Sequence, residues 1–206
     1  HDALPICAFS ETEIKEVEQF VEQGGRLLLA ADPSRYVVEM QEDELANETY
    51  AATSDVASIN ALASIFGLSF ADDYLYNTVQ NGGNYQYVVM RDFAESPLTA
   101  DLQEVVFYSA HSLLVSEQPL ISGDENTISS LNEQNVHSTV MALGGGGQVL
   151  AVGDLTFMTE PYSAAADNGQ LIANIAGFVA GATRTFGLTQ FPLFFGQQID
   201  LISVLV

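Results

Sequence analysis

The sequence predicts an α/β fold of three layers, built on a mostly parallel sheet with an added antiparallel β-ribbon. Three observations predict it. Helical and extended patterns alternate along the chain. Two apolar runs, Arg26–Ala31 and Val149–Val152, read as strands buried on both faces. Each helical pattern carries its own start or stop signal.

The elements follow in order. Residues 2–9, DALPICAF, read as a short buried strand. Ser10 is a good N-cap, and Glu13 three residues on completes a capping box. Ile14, Val17, Phe20 and Val21 then fall on one helical face, and Gly24-Gly25 supplies a left-handed stop. The run RLLLAA follows as a strand that ends at Asp32-Pro33-Ser34, so this strand–helix–strand unit predicts a parallel pair with a right-handed crossover. Residues 36–53 are acidic and irregular and read as an exposed insertion, partly helical. Ser54 or Asp55 caps a second helix with Val56, Ile59, Leu62, Ala63 and Phe66 inward, closed by Gly67.

Past that helix, LSFADDYLYN reads as a short strand or turn, and Asn81-Gly82-Gly83 is a strong turn signal between Tyr- and Val-bearing flanks. A polar turn at 96–102 leads to a strand near Glu104–Tyr108 and an extended segment at His111–Val115. Residues 117–135 read as a second exposed loop. Two apolar runs around Gly144–Gly147 predict an antiparallel hairpin whose second strand ends at Gly153-Asp154. Asp167 with Gln170 repeats the capping pattern, and the helix beyond packs through Leu171, Ile172, Ile175 and Phe178 up to Gly181. Two more extended segments, TRTFGLTQF and QQIDLISVLV, complete the chain. Residues 1–206 read as a single domain, a piece of a longer chain, with insertions at 36–53 and 117–135.

Composition narrows the function classes. The chain has 206 residues, 48% hydrophobic and 16% charged, which suits a core-rich globular domain. Five basic residues face 27 acidic ones, a formal net charge of −22. Such a surface repels nucleic-acid backbones and anionic membranes. It suits either a high-salt environment or an extracytoplasmic domain that binds cations or stays soluble. No apolar run reaches the roughly 18 residues of a membrane-spanning helix, so any membrane tether would lie in segments outside this chain. The single cysteine, Cys7, excludes an internal disulfide and reads as an inert core thiol. The triplet Asn47-Glu48-Thr49 fits a glycosylation acceptor, a pattern common by chance.

Three segments carry a family resemblance: FSETEIKEVEQFVEQGGRLLLAADPS, NALASIFGLSFADDYLYN, and VLAVGDLTFMTEPYSAAADNGQLIANIAGFV. Across residues 2–182 the chain resembles the DUF4350 and GldG-like group of the class I glutamine amidotransferase-like superfamily, with its flavodoxin-like fold. The resemblance implies a domain associated with a cell envelope or ABC-type transport system, extracytoplasmic and membrane-tethered rather than cytoplasmic. Enzymes of that superfamily set a nucleophilic cysteine at a tight strand–helix elbow. The matching position here is Ala31-Asp32-Pro33, which has no thiol. Neither His111 nor His137 forms a His-x-Glu pair, and His1 is terminal, so the amidotransferase activity is expected to be absent.

The candidate site lies at the carboxyl ends of the strands, where open α/β sheets bind ligands. Asp32 and Asp154 end neighbouring parallel strands, with Ser34, Arg35, Thr156 and Asn168 nearby, a set that can hold a cation or small polar ligand. The same aspartates can instead cap turns and helix starts through backbone amides. The clusters Glu42-Asp43-Glu44 and Asp124-Glu125 match no calcium loop and read as solvated charge. Gly144–Gly147 lacks the lysine and hydroxyl of a phosphate loop. Tyr74, Tyr76, Tyr85 and Tyr87 form either a partner surface or cross-strand pairs. No cofactor signature is present. The leading expectation is a non-catalytic domain binding a protein partner or a small polar ligand. The alternatives are a metal-assisted hydrolase using Asp32 and Asp154, or an oligomerisation module whose FPLFFG segment supplies contact area.

Overall fold

The computed structural model describes residues 9–35, 48–54, 56–115, 117–132, 138–181 and the stretch 37–42, with the backbone alone for 37–42 and 48–53. The expected strand at 2–8, Cys7, His1, Asn47, His137, FPLFFG and the extended segments beyond 182 lie outside the described residues.

Helix α1, Glu11–Glu22, starts as the capping box requires. Ser10 Oγ accepts the Glu13 amide at 3.3 Å, and the Glu13 carboxylate accepts the Ser10 amide at 2.8 Å. Both bonds satisfy donors that a helix start leaves open. Val17 and Val21 are buried on its inner face. Strand β1, Leu27–Ala30, follows the glycine stop. Then β2, Val37–Glu42, and β3, Glu48–Thr53, pair antiparallel over six positions. Residues 37–42 and 48–53 therefore form a β-ribbon within the segment expected to be an irregular, partly helical insertion. Helix α2, Val56–Ala63, runs into a 3₁₀ turn at Ser64–Phe66 and stops at Gly67, whose φ of 73° is left-handed.

From there to residue 152 the chain contains strands and tight turns. They are β4, Leu68–Phe70; β5, Leu75–Asn77; β6, Tyr87–Met90; β7, Asp92–Phe93; β8, Val105–Tyr108; β9, Leu113–Val115; β10, Gln118–Ser122; β11, Thr127–Ser129; β12, Thr139–Gly144; and β13, Val149–Val152. Helix α3, Asn168–Ala180, closes the described part. The expected loop at 117–135 thus carries β10 and β11. Pro119 hid β10, because proline is rare within sheets, but it sits where the β10–β12 register shifts at a bulge.

The sheet corrects the expected fold class. A three-layer, mostly parallel, flavodoxin-like α/β sheet is not what the chain builds. Seven strands form one mixed sheet in the order β1-β13-β12-β10-β7, with β9 also pairing β12 and β4 pairing β9, curled into a half-barrel. Among its described pairs only β1–β13 is parallel, with Ala30 opposite Val152. The reason is connectivity. A parallel pair needs a long crossover, usually a helix, and among the described residues no α-helix lies between β4 and β13. Short turns there leave antiparallel pairing as the solution. The expected hairpin at Gly144–Gly147 is one case: Gly145, Gly146 and Gly147 all have positive φ, and a Cβ on Gly144 would lie 2.3 Å from the Phe66 carbonyl.

Apolar side chains pack on both faces of the central strands. Leu150 and Val152 face a core shared with Met141, Leu171, Ile175 and the β6–β8 ribbon. Val149 and Ala151 face a second core built from Val17, Val21, Leu62 and Phe70. Alternate residues of one strand therefore serve two cores, which is why the VLAV run is continuously apolar. Arg26 fastens α3 to the sheet edge: Nη1 donates to the Phe178 carbonyl at 2.6 Å, and its guanidinium lies 4.8 Å from the Phe178 ring centre.

Candidate functional site: a crevice at the carboxyl end of β1

Asp32 and Asp154 each stand two residues beyond the last paired position of β1 and β13, so the parallel register brings them side by side. Both are buried. One threonine joins them: the Thr156 amide donates to Asp154 Oδ1 at 2.6 Å, and its hydroxyl donates to Asp32 Oδ2 at 2.9 Å.

The Asp32 carboxylate is fully engaged. Oδ1 accepts the Ser34 amide at 2.8 Å and the Ser34 hydroxyl at 2.6 Å, while Oδ2 also accepts the Leu155 amide at 3.2 Å. Arg35 Nε lies 3.6 Å from Oδ2. Burial pulls the Asp32 pKa upward, but the bonds from Ser34, Thr156 and Leu155 outweigh it and hold the group below its ordinary range. Asp154 goes the other way. Burial, aided by the neighbouring Asp32 charge, pushes it up to about 7 against the pull of amides from Tyr108, Thr156 and Phe157. Its Oδ2 accepts the Tyr108 amide at 2.7 Å, so this carboxyl ties β8 to the end of β13.

The crevice itself is a cavity of about 290 Å³ lined by Asp32, Pro33, Arg35, Ser54, Asp72, Asp73, Tyr74, His111 and Ser130. Of the six residues expected at the site, Asp32 and Arg35 line it. Ser34 and Thr156 hold Asp32 from behind. Asp154 and Asn168 are set apart from it, fully buried. Asn168 instead imitates a strand: Oδ1 accepts the Val106 amide at 2.9 Å and Nδ2 donates to the Val106 carbonyl at 2.9 Å. The expected Asp167 cap is also corrected, since its carboxylate reaches the amides of Gln103 and Glu104 at 2.8 and 3.0 Å.

Asp72, Asp73 and Ser130 are lining residues that the sequence did not single out, and Tyr74, expected on a partner surface or in a cross-strand pair, lines the crevice too. Asp73 is buried and takes the Ser112 amide at 2.8 Å on Oδ1, then the Ser112 and Ser129 hydroxyls at 2.7 and 2.5 Å on Oδ2. The signal was an Asp-Asp pair inside the otherwise apolar LSFADDYLYN. His111 is 3% exposed, and among the described residues its Nδ1 has no hydrogen-bond partner. It is brought in by Gly153, whose carbonyl accepts the His111 amide at 2.7 Å and whose Cα approaches so closely that a Cβ would lie 2.1 Å from the His111 carbonyl oxygen. Gly153 therefore places His111 beside the end of β13.

Elsewhere, Asp124 is a turn residue that accepts from Asn77, Asn126 and Thr127. Tyr74, Tyr76 and Tyr85 form a row at 6.2 Å ring spacing, while Tyr87 pairs across the β6–β8 ribbon with Tyr108 at 4.7 Å. Among the described residues, no group of three His, Cys, Asp or Glu side chains is placed to hold a metal ion, and no helix is long and apolar enough to cross a membrane.

No family model matches this chain, and no curated protein matches it either. Among solved structures it is similar to the mmIFT52 N-terminal domain, at a TM-score of 0.61 and 13% identity over 87% of this chain and 75% of that one. At that identity the likeness is one of fold alone.

Proposed function

We propose that this chain is a non-catalytic binding domain, part of a cell-envelope or transport-associated assembly of the DUF4350 and GldG-like kind, and that its crevice takes a small polar ligand. The observation that carries this reading is the state of His111. A nucleophile is activated by a base that a third group orients. Among the described residues the His111 Nδ1 has no such partner, although Asp73 and Ser130 line the same crevice. The two strand-end aspartates do not supply an alternative. Asp154 is sealed in, and both oxygens of Asp32 already accept protein donors. A polar hollow about the size of the smallest ligand pockets, with no connected acid–base chain, suits holding rather than turnover.

The test is calorimetric titration with a panel of small solutes: polyols, sugars, organic acids, phosphate and amines. At least one class should bind one-to-one, and Asp73→Asn should weaken it. If no class saturates, the binding reading fails. Hydrolysis of ester, amide or phosphoester substrates with added divalent metal, abolished by Asp154→Asn, would establish the hydrolase instead. A mass that doubles with concentration would favour the oligomerisation module.

A further inference from the structure

We propose that the crevice selects a small organic cation, an ammonium or guanidinium compound, held by Asp72 and Asp73 against Tyr74 and His111. This rests on the ligand-binding reading and names the ligand's class.

Charge is the first ground. Three carboxylates and one guanidinium line the crevice. The guanidinium is already committed, because Arg35 lies against Asp32 and that carboxylate accepts four further protein donors. Among the described residues, Asp72 and Asp73 have no cation of their own. Asp73 is buried, and its Oδ1 accepts a single donor, which leaves a lone pair open. Asp72 is exposed, with no bond or ion pair to another described residue. Among the described residues, no other basic side chain is shown to reach them. Arg26 is used at Phe178 and Arg91 at Glu104, Lys15 lies on α1, and Arg184 is outside the described residues.

His111 is the second and independent ground. Burying a polar nitrogen without a partner is costly, so an orphan in a cavity wall marks a missing ligand atom. The Nδ1 of His111 is such an orphan. An imidazole nitrogen can accept an N–H, so a ligand bearing one would supply the missing partner. An ammonium or guanidinium carries several N–H donors in one group, so it can serve this nitrogen and the carboxylates together. Tyr74 adds an aromatic face of the kind cations prefer. A bare metal ion fits less well, since the cavity is about 290 Å³ and no three-residue metal cluster is present among the described residues.

The probes are 1,4-diaminobutane, choline and free arginine, titrated beside glucose, glycerol and acetate at low and at physiological salt. At least one cation should bind one-to-one, at least about tenfold more tightly than the neutral and anionic solutes. Asp73→Asn and His111→Phe should each weaken it about tenfold. Asp73 also holds Ser112 and Ser129, so Asp72→Asn is the cleaner variant: it should cost about fivefold with no change in melting temperature. Glu18→Gln, an exposed charge on α1, is the control for diffuse attraction to so acidic a surface. A loss in Glu18→Gln equal to that in Asp72→Asn overturns the proposal. So does equal binding of glucose or acetate, which would leave a polar-ligand site without its selectivity for cations. No saturation by any solute removes both the cation class and the ligand-binding reading beneath it.

Discussion

Asp32 and Asp154 occupy equivalent places on adjacent strands, yet the fold uses them in opposite ways. Asp32 faces hydroxyls and a guanidinium at the crevice wall and is held ionised. Asp154 faces backbone amides in the interior, where burial drives it toward its neutral form. Residue type and strand position are the same for both. What differs is the supply of donors and the access of water, and these set both the charge and the role.

The largest expected effect comes from emptying the interior member of the pair. Asp154→Ala leaves the buried amide of Tyr108 and the half-buried amide of Thr156 without acceptors, and should cost about 4 kcal/mol in urea unfolding. Next is the wall that encloses it. Gly153→Ala would place a methyl 2.1 Å from a backbone oxygen that cannot step aside. A loss of about 3 kcal/mol is expected, read in the same unfolding experiment.

The pH dependence separates the two aspartates directly. The unfolded Asp154 titrates near 3.8, while the folded one holds its proton to about 7. Between those values the folded state binds more protons, so stability from Asp154 declines as pH rises, by at most about 1.4 kcal/mol per pH unit. Asp32, held below its ordinary range, contributes stability above that range and loses it as pH falls through its folded pKa. Stability measured from pH 4 to 7 should slope downward, and Asp154→Asn should remove that slope. A wild-type curve no steeper than that of Asp154→Asn would show Asp154 to be ionised throughout. The smallest effect is expected from Thr156→Val, which removes the hydroxyl bond to Asp32 and keeps the amide bond to Asp154. It should cost about 1 kcal/mol and raise the Asp32 pKa alone, as followed by carboxyl-carbon NMR.

The helix starts show how much was legible in the chain. Ser10 with Glu13 and Asp167 with Gln170 carry the same spacing. Ser10 closes its box within α1. Asp167 leaves its own helix for Gln103 and Glu104, and Gln170 donates to Asn174. A capping pattern states what a side chain can do locally, and Asp167 met better-placed amides from a distant loop. The crevice was half legible for the same reason. Asp32 and Arg35 were visible as a strand end. Asp73 and His111 were not, because an Asp pair or a lone His beside apolar residues carries no sign of what it will meet.

The sequence alone determined the start of α1, the stop of α2 at Gly67, the four-glycine hairpin and the place of Asp32 and of Asp154 just past the end of an apolar run. Each depends on φ preferences, capping partners or apolar runs within a few residues. Tertiary structure decided the direction of most strands, the recruitment of 117–132 into sheets and the membership of the crevice. Those depend on contacts such as Asp73 with Ser112, 39 residues apart, and Asp32 with Thr156, 124 apart. Local stereochemistry does not encode which distant donor arrives; packing of the two cores brings it there.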